Sequence, residues 1–308
     1  MKKTLVLINA TDTYYFNHIQ HPDIDLCGVF RTAKGEDNFL LKTLRKLKCS
    51  GTRFFYLDWY KNIKKYERIV VLDMALNLDL RLLENITKKN SKCEKYLYSW
   101  NIIKNEKYYQ VQRRAAEKAK FEFYCYDYGD CAKYGLKFNT IMYDCTLTIK
   151  KEEKISDTLF LGFMKDRKEK MLKLYTALNE VNLIPRFVIV GTEENKDLPF
   201  EFSKSYIGYY DYLKMLSKSK SILDIAQSGQ TGYSMRVMEA IFFNKKLITT
   251  NKAVRDAFFY DPSKILIIDL ENINSQELAT FFNKEYLPYT QETREYYSFE
   301  KWLERFSR

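Results

Sequence analysis

The stretch Lys220–Asn251, KSILDIAQSGQTGYSMRVMEAIFFNKKLITTN, decides how the rest of the chain is read. Ile222, Leu223 and Ile225 form a short apolar run that suits a buried strand, and Gln227 to Thr231 is rich in turn residues. From Ser234 to Phe243 the apolar residues Met235, Met238, Ile241 and Phe242 recur at helical spacing, and Leu247 to Thr249 is β-prone again. A strand that runs through a small-residue loop into a helix leaves free backbone N–H groups at the helix N-terminus, and these suit a phosphate. Thr231 or Ser234 is placed to cap or to add a hydroxyl, and Arg236 stands in the first turns, near where a diphosphate would lie. Glu239 is three residues on and shares a face with Arg236, so its carboxylate suits a ribose 2′,3′-diol.

Working outward, 308 residues suit about two domains. A hydrophobic share of 46% with 30% charged residues fits a globular protein with real cores. No apolar run approaches the roughly 18–20 residues of a membrane span. Met1-Lys2-Lys3 followed by Thr4 to Ala10 imitates a signal peptide, but the apolar part is too short and Asp12 follows without a cleavage-like site. It reads as a first strand, and the protein as cytoplasmic. Six scattered cysteines without a C-x-x-C pair read as reduced thiols. The formal charge of +11 points to phosphates or an anionic surface as partners. No nucleic-acid motif is present, and the basic residues are spread along the whole chain, so nucleic acid is not expected.

The chain alternates strand and helix. Strands are expected at Thr4–Ile8, Asp25–Phe30, Phe54–Leu57, Ile69–Leu72, Tyr96–Ser99 and Phe121–Cys125, with helices at Asn38–Lys48, Leu78–Lys89 and Tyr108–Lys120. After a Lys- and Glu-rich linker, Thr146 to Asp157, a second series begins with strand Thr158–Phe163 and helix Arg167–Glu180. Further strands are expected at Phe187–Val190 and Ile265–Ile268, and helices at Asp211–Ser217, Ser275–Phe282 and Phe299–Phe306. This is the pattern of α/β domains with largely parallel sheets, divided as 1–150 and 151–308.

Asp224, then Gln230-Thr231-Gly232, Arg236 and Glu239, followed by Lys246 to Asn251, resemble the donor-binding unit of GT-B glycosyltransferases. More narrowly, they look like the transferases of bacterial lipopolysaccharide and capsular polysaccharide biosynthesis. Ser99-Trp100-Asn101 and the stretch from Tyr126-Asp127 through Asp130 to Asn139 resemble the same enzymes. The resemblance implies two Rossmann-like domains around a cleft, the first for the acceptor and the second for a nucleotide sugar, with a last helix that often crosses back. It implies that the helix N-terminus meets the nucleotide diphosphate and that Glu239 holds the ribose. Thr231 stands where the common motif has its first glutamate, so only the second carboxylate carries over.

Transfer requires stabilising a leaving nucleoside diphosphate. GT-B enzymes do this with helix dipoles and basic side chains, so neither a metal nor another cofactor is expected. Gly162, Lys165 and Arg167 at a strand end, with Arg236 and the backbone from Gln230 through Thr231, Gly232 and Tyr233 to Ser234, make the expected donor site. Ligands of open parallel sheets lie beyond the carboxyl ends of the strands, which makes Asp12, Asp73 and Asp127 the candidate bases. Asp12 is favoured because some inverting GT-B enzymes place the base after the first strand. Thr11, Trp100, Asn101 and Asp130 are expected on the acceptor side. Asp23-Ile24-Asp25 matches D-x-D, a pattern expected about once by chance, and His18-x-x-His21 lacks a third ligand.

The expected activity is metal-independent transfer of a sugar from a nucleotide-sugar donor to a surface polysaccharide or lipid-linked glycan. A GT-B sugar-nucleotide epimerase and a non-catalytic basic binding protein are the alternatives. For a lipid-linked acceptor, the expected helix Asn38–Lys48 offers apolar Phe39 and leucines beside Lys42, Arg45, Lys46 and Lys48. That combination suits an anionic membrane on the inner face of the cytoplasmic membrane, while burial of the leucines in the core is the plainer outcome.

Overall fold

The computed structural model describes residues 1–9, 20–30, 39–47, 49–165, 167–191, 195 and 197–307. It divides into two compact units, Met1–Thr140 with Leu303–Arg308, and Ile141–Trp302.

The first unit runs β1 (Thr4–Ile8), β2 (Ile24–Gly28), α1 (Phe39–Lys46), β3 (Arg68–Leu72), α2 (Asp73–Leu76) and α3 (Leu82–Lys89). It continues with β4 (Glu94–Ser99), α4 (Glu106–Ala119), β5 (Glu122–Cys125), α5 (Tyr128–Tyr134) and β6 (Lys137–Phe138). The sheet order is β2-β1-β3-β4-β5-β6, with every pairing parallel. β1 and β3 are buried at every position, as central strands covered on both faces must be, and this is why Leu5 to Ile8 and Ile69 to Leu72 read as unbroken apolar runs. Arg68, buried at the start of β3, donates to Glu94 Oε2 at 3.0 Å and to Leu303 O at 2.7 Å. Leu303 and the residues after it belong to this unit. Phe306 is fully buried and stacks on Tyr96 at 5.1 Å, and the Tyr124 hydroxyl donates to Phe306 O at 2.8 Å.

Several elements differ from expectation, and α2, α5 and β6 stand where none was expected. Ser50–Phe55 is a 3-10 helix where a strand was expected from Phe54. Its aromatic run is used for packing: Tyr56 stacks on Trp59 at 5.2 Å, and its hydroxyl donates to Asp79 Oδ2 at 2.5 Å. The helix expected from Leu78 starts at Leu82, because Asp79 Oδ1 accepts the Arg81 N–H at 2.9 Å and holds a turn first. Asn38 and Lys48, the expected ends of the basic helix, lie outside the described residues.

The second unit runs β7 (Ser156–Gly162), α6 (Lys168–Glu180), β8 (Pro185–Val190), β9 (Glu201–Ser203), α7 (Tyr209–Ser217) and β10 (Ser219–Asp224). It continues with α8 (Met235–Phe242), β11 (Lys246–Thr249), β12 (Ile265–Ile267), α9 (Ser275–Asn283), α10 (Gln291–Tyr296) and α11 (Phe299–Glu304), the last running past Trp302, the final residue of this unit. The order is β12-β11-β10-β7-β8-β9, again all parallel. Numbered from β7, this is the 3-2-1-4-5-6 order of a Rossmann sheet, and it reverses direction between β7 and β10. Its core is built from Phe160, Phe187, Ile189, Leu223 and Ile248 with the inward faces of α6 and α9.

Candidate functional site

The stretch from Lys220 to Asn251 forms β10, its following loop, α8 and β11. β10 and the preceding β7 flank the point where the strand order reverses, and in open α/β sheets the crevice at that point takes the ligand. Pairing between the two strands runs only to Leu159 opposite Ile222. Beyond it, arginines bridge the strand ends. Arg236, in the first turn of α8, donates through Nη2 to Leu161 O at 2.5 Å. Arg167 donates through Nη1 to Ile225 O at 3.0 Å and through Nη2 to Phe163 O at 3.1 Å. Both guanidinium groups lie over the Phe160 ring, at 5.3 and 5.4 Å from its centroid. Gly162 leaves room for this arrangement: a Cβ there would come within 3.1 Å of Arg236 Nη2 and 3.2 Å of Phe160. Lys165 is exposed and has φ 51°, the left-handed region.

The loop after β10 is held by its own side chains. Gln230 accepts the Gln227 N–H at 3.2 Å and donates to Gly232 O at 3.0 Å, and Asn251 donates to the same carbonyl at 3.0 Å. Tyr233 is buried and packs edge-on against Phe259 at 5.3 Å. Thr231 is half-buried. Ser234 is the N-cap residue of α8, but its hydroxyl makes no cap; it donates to Asp224 Oδ1 at 2.8 Å, while Thr249 donates to Oδ2 at 2.9 Å. The helix N-terminus therefore has no side-chain cap, and the first N–H groups of a helix have no acceptor within it.

Glu239 is buried at 2% exposure. Its Oε1 accepts the Tyr209 hydroxyl at 3.0 Å and its Oε2 the Tyr212 hydroxyl at 2.5 Å. The oxygens expected to face a ribose thus face two tyrosines of α7, and Tyr143 extends the chain through the Tyr209 hydroxyl. Burial pushes the Glu239 carboxyl up to about 7, although Tyr212, Arg236 and Tyr209 all favour its charged form.

In the first unit the candidate residues gather at the carboxyl ends of β3, β4 and β5. Asp73 is buried, and its Oδ1 accepts the N–H groups of Met74 at 2.9 Å and Trp100 at 3.1 Å. Burial raises its carboxyl to about 6, against the hydrogen bonds from Trp100, Met74 and the Asn101 side chain that lower it. Asp127 is the N-cap of α5, accepting the Asp130 N–H at 3.0 Å. Asp130 accepts the Ile103 N–H at 2.7 Å, and burial raises its carboxyl with Asp127 adding to the shift. Trp100 is half-buried and Asn101 exposed. Thr11, Asp12 and His18 lie outside the described residues.

The D-x-D residues stand elsewhere, at the amino end of β2. Asp25 pairs with Lys65 at 2.8 Å and accepts the Tyr66 hydroxyl at 2.7 Å, and Asp23 lies 3.6 Å from the N-terminal amine. Among the described residues, no group of three or more His, Cys, Asp or Glu is arranged to hold a metal ion.

No family model and no curated protein matches the chain. Solved structures do. The lipopolysaccharide outer core galactosyltransferase WaaB, in its apo form, aligns over 100% of this chain and 98% of its own, with TM-score 0.52 and 11% identity. AviGT4, a glycosyltransferase involved in avilamycin A biosynthesis, aligns over 99% and 96% with the same TM-score and identity. The sucrose-phosphate synthase of Thermosynechococcus elongatus aligns over 99% and 87%, again at 0.52 and 11%. The fold is GT-B.

Within this GT-B frame, sequence reading missed Phe160, which carries both guanidinium groups, because it looks like any apolar strand residue. It also missed Tyr209 and Tyr212: the helix was expected from Asp211, whereas α7 begins at Tyr209 and so puts both tyrosines on one face. Asn251 belonged to the quoted stretch, but its hold on Gly232 O depends on β11 lying beside β10.

Glu239 makes stability depend on pH. A carboxyl whose folded pKa lies above its ordinary value of 4.5 binds a proton more readily in the folded state. Its contribution is therefore fully present below about 4.5 and is lost as pH rises to about 7. Thermal unfolding of Glu239→Gln across this window should show a shallower fall of Tm with pH than the wild type; parallel curves would contradict the assignment.

Proposed function

We propose that the chain is a glycosyltransferase that moves a sugar from a nucleotide-sugar donor to a glycan or lipid-linked acceptor without a divalent metal. The observation behind this reading is the meeting of Arg167, Arg236 and the uncapped start of α8 at the switch point of the second unit's Rossmann sheet. Fixed cations and a helix N-terminus suit the charge that develops on a leaving diphosphate. The naming of the structural neighbours as a galactosyltransferase, a glycosyltransferase and a sucrose-phosphate synthase agrees with it.

In this reading the second unit, roughly the expected 151–308, binds the donor. The backbone of Thr231, Gly232, Tyr233 and Ser234, with Arg167, Arg236 and exposed Lys165, holds the diphosphate, while Gly162 and Gln230 shape the site. Glu239 reaches a ribose only by exchanging its tyrosine partners; otherwise it supports Arg236 and α7. The first unit binds the acceptor near Trp100, Asn101 and Asp130. Asp73 is the base among the described candidates, since a carboxyl near 6 can accept a hydroxyl proton at neutral pH. Asp127 is occupied as a helix cap.

A lipid-linked acceptor adds an anionic membrane as partner. Only Leu41 of α1 is buried, whereas Phe39, Leu40 and Leu47, with nearby Phe54, are between 56% and 84% exposed. These side chains stand beside Lys42, Arg45 and Lys46, the combination expected of a peripheral docking face. No helix among the described residues is long and apolar enough to cross a membrane.

Three outcomes test the proposal. In a thermal-shift panel of UDP-, GDP-, CDP- and dTDP-sugars, one nucleotide class should stabilise the protein, and Arg236→Ala should weaken its binding by roughly tenfold or more, since a hydrogen bond to a charged group contributes about 1.5–3 kcal/mol. Equal affinity in the variant would remove the donor assignment. With a matching acceptor and EDTA present, transfer should rise with pH through about 6 and be lost in Asp73→Asn, while nucleotide binding is retained; an unchanged profile would exclude Asp73 as base. Binding to phosphatidylglycerol vesicles should weaken with salt and drop in the Phe39→Ser, Leu40→Ser, Leu47→Ser variant. Equal binding of that variant would exclude this face.

A further inference from the structure

One cavity in the first unit is not used by the reading above. It measures about 340 Å³ and is lined by Lys42, Arg45 and Lys46 of α1 and by Asn77, Leu78, Asp79 and Leu80 of the segment joining α2 to α3. A volume of this size lies at the lower end of small-molecule sites, roughly 300–1,000 Å³. Its position follows from the topology. α2 begins with Asp73 at the carboxyl end of β3, and Asn77 on the cavity wall donates its backbone N–H to Asp73 O at 2.9 Å, one helical turn from the candidate base.

The chemistry of its wall is cationic. Positions 42, 45 and 46 are related by i, i+3 and i+4, so one helix face presents three positive charges together. Among the described residues, none of the three forms an ion pair with a carboxylate. Asp79 is the lining acid, and its oxygens are engaged elsewhere: Oδ2 accepts the Tyr56 hydroxyl at 2.5 Å and Oδ1 the Arg81 N–H at 2.9 Å. Asn77 is oriented by Gln112, which donates to its Oδ1 at 3.1 Å, and by Tyr108, which donates to the same atom. Its NH2 group is then what it offers to a ligand, as a donor. Cations and an amide donor around a partly apolar floor select an anion attached to a larger molecule.

We infer that this cavity is an anion site that takes the phosphate or diphosphate of the glycosyl acceptor, held by Lys42, Arg45, Lys46 and Asn77. The inference rests on the transferase reading for the word acceptor; the anion site itself rests on the cavity. It narrows the acceptor to a phosphate-bearing class and places its charged group at Asn77, one helical turn from Asp73. It also gives the basic face of α1 a pocket, where exposed Phe39, Leu40 and Leu47 alone would give only a surface.

Calorimetric titration of the full chain with inorganic pyrophosphate tests it, using the wild type, the Lys42→Gln, Arg45→Gln, Lys46→Gln variant and Arg236→Ala. The wild type should bind pyrophosphate; the triple variant should lose one class of site, with affinity lowered about tenfold or more, and Arg236→Ala should keep it. Loss in the triple variant with no change in Arg236→Ala would uphold the cavity and remove the donor assignment. A triple variant that titrates like the wild type, or a wild type that does not bind, overturns the inference. Anionic vesicles of phosphatidylglycerol that displace pyrophosphate would assign a lipid-borne phosphate to the cavity; vesicles that bind without displacing it would assign a soluble phosphorylated acceptor.

Discussion

The two guanidinium groups over Phe160 are the interaction on which the second unit's site depends. At a switch point neighbouring strands are followed by helices that leave in different directions, and the ladder must stop. Here it stops after Leu159 and Ile222. The carbonyls of Leu161 and Ile225 lie beyond that last pair, and a polar backbone group in such a place is costly unless something bonds to it. Arg236 and Arg167 meet that need from opposite sides, the first reaching from the β10 side to β7 and the second from the β7 side to the end of β10. Arginine suits the task because its planar fork carries five N–H donors and stacks on a ring. A lysine would supply charge without the fork. The consequence is that charge is fixed at the crevice by the same bonds that finish the sheet.

How much of this was legible in the sequence follows from what each feature depends on. β1 and β3 announced themselves through Leu5 to Ile8 and Ile69 to Leu72, because a strand covered on both faces is apolar along most of its length. The β10–α8–β11 unit was readable for the same reason, and Arg236 was placed correctly in the first turn of its helix by counting alone. Counting could not show what Ser234 binds: it was placed either to cap the helix or to add a hydroxyl, and its hydroxyl donates to Asp224. Aromatic runs misled. Phe54 to Leu57 has the composition of a strand, but Tyr56 and Trp59 stack and the backbone winds into a 3-10 helix to let them.

Glu239 shows the limit most clearly. Its spacing from Arg236 put both on one helix face, and that held. What a carboxylate on that face meets depends on α7, whose tyrosines lie 27 and 30 residues earlier in the chain. A buried carboxylate needs donors, and two phenolic hydroxyls satisfy it without a full opposite charge. Burial outweighs them, which is why the group titrates near neutrality and not in the usual carboxylate range. The same contest acts on Asp73, where backbone N–H groups from Met74 and Trp100 replace the tyrosines.

Both units end their strands with polar side chains, but with opposite polarity. In the first unit carboxylates accept N–H groups: Asp73 that of Trp100 from the adjacent strand end, Asp127 that of Asp130 at the start of α5. In the second unit guanidinium groups donate to carbonyls. Each arrangement solves a local problem of backbone satisfaction, and neither needs a ligand to explain it. The strand ends of the first unit thus carry carboxylates, and those of the second carry two fixed cations besides Asp224. Under the transferase reading these are the two kinds of group the chemistry requires, one to take a proton from an attacking hydroxyl and one to hold the departing diphosphate. Asp73 and Asp127 occupy equivalent places after their strands, and burial raises the Asp73 carboxyl to about 6. Asp127 closes a helix. Position after a strand therefore names the candidates, and the local hydrogen bonds distinguish Asp73, which holds the N–H groups of Met74 and Trp100, from Asp127, which caps a helix.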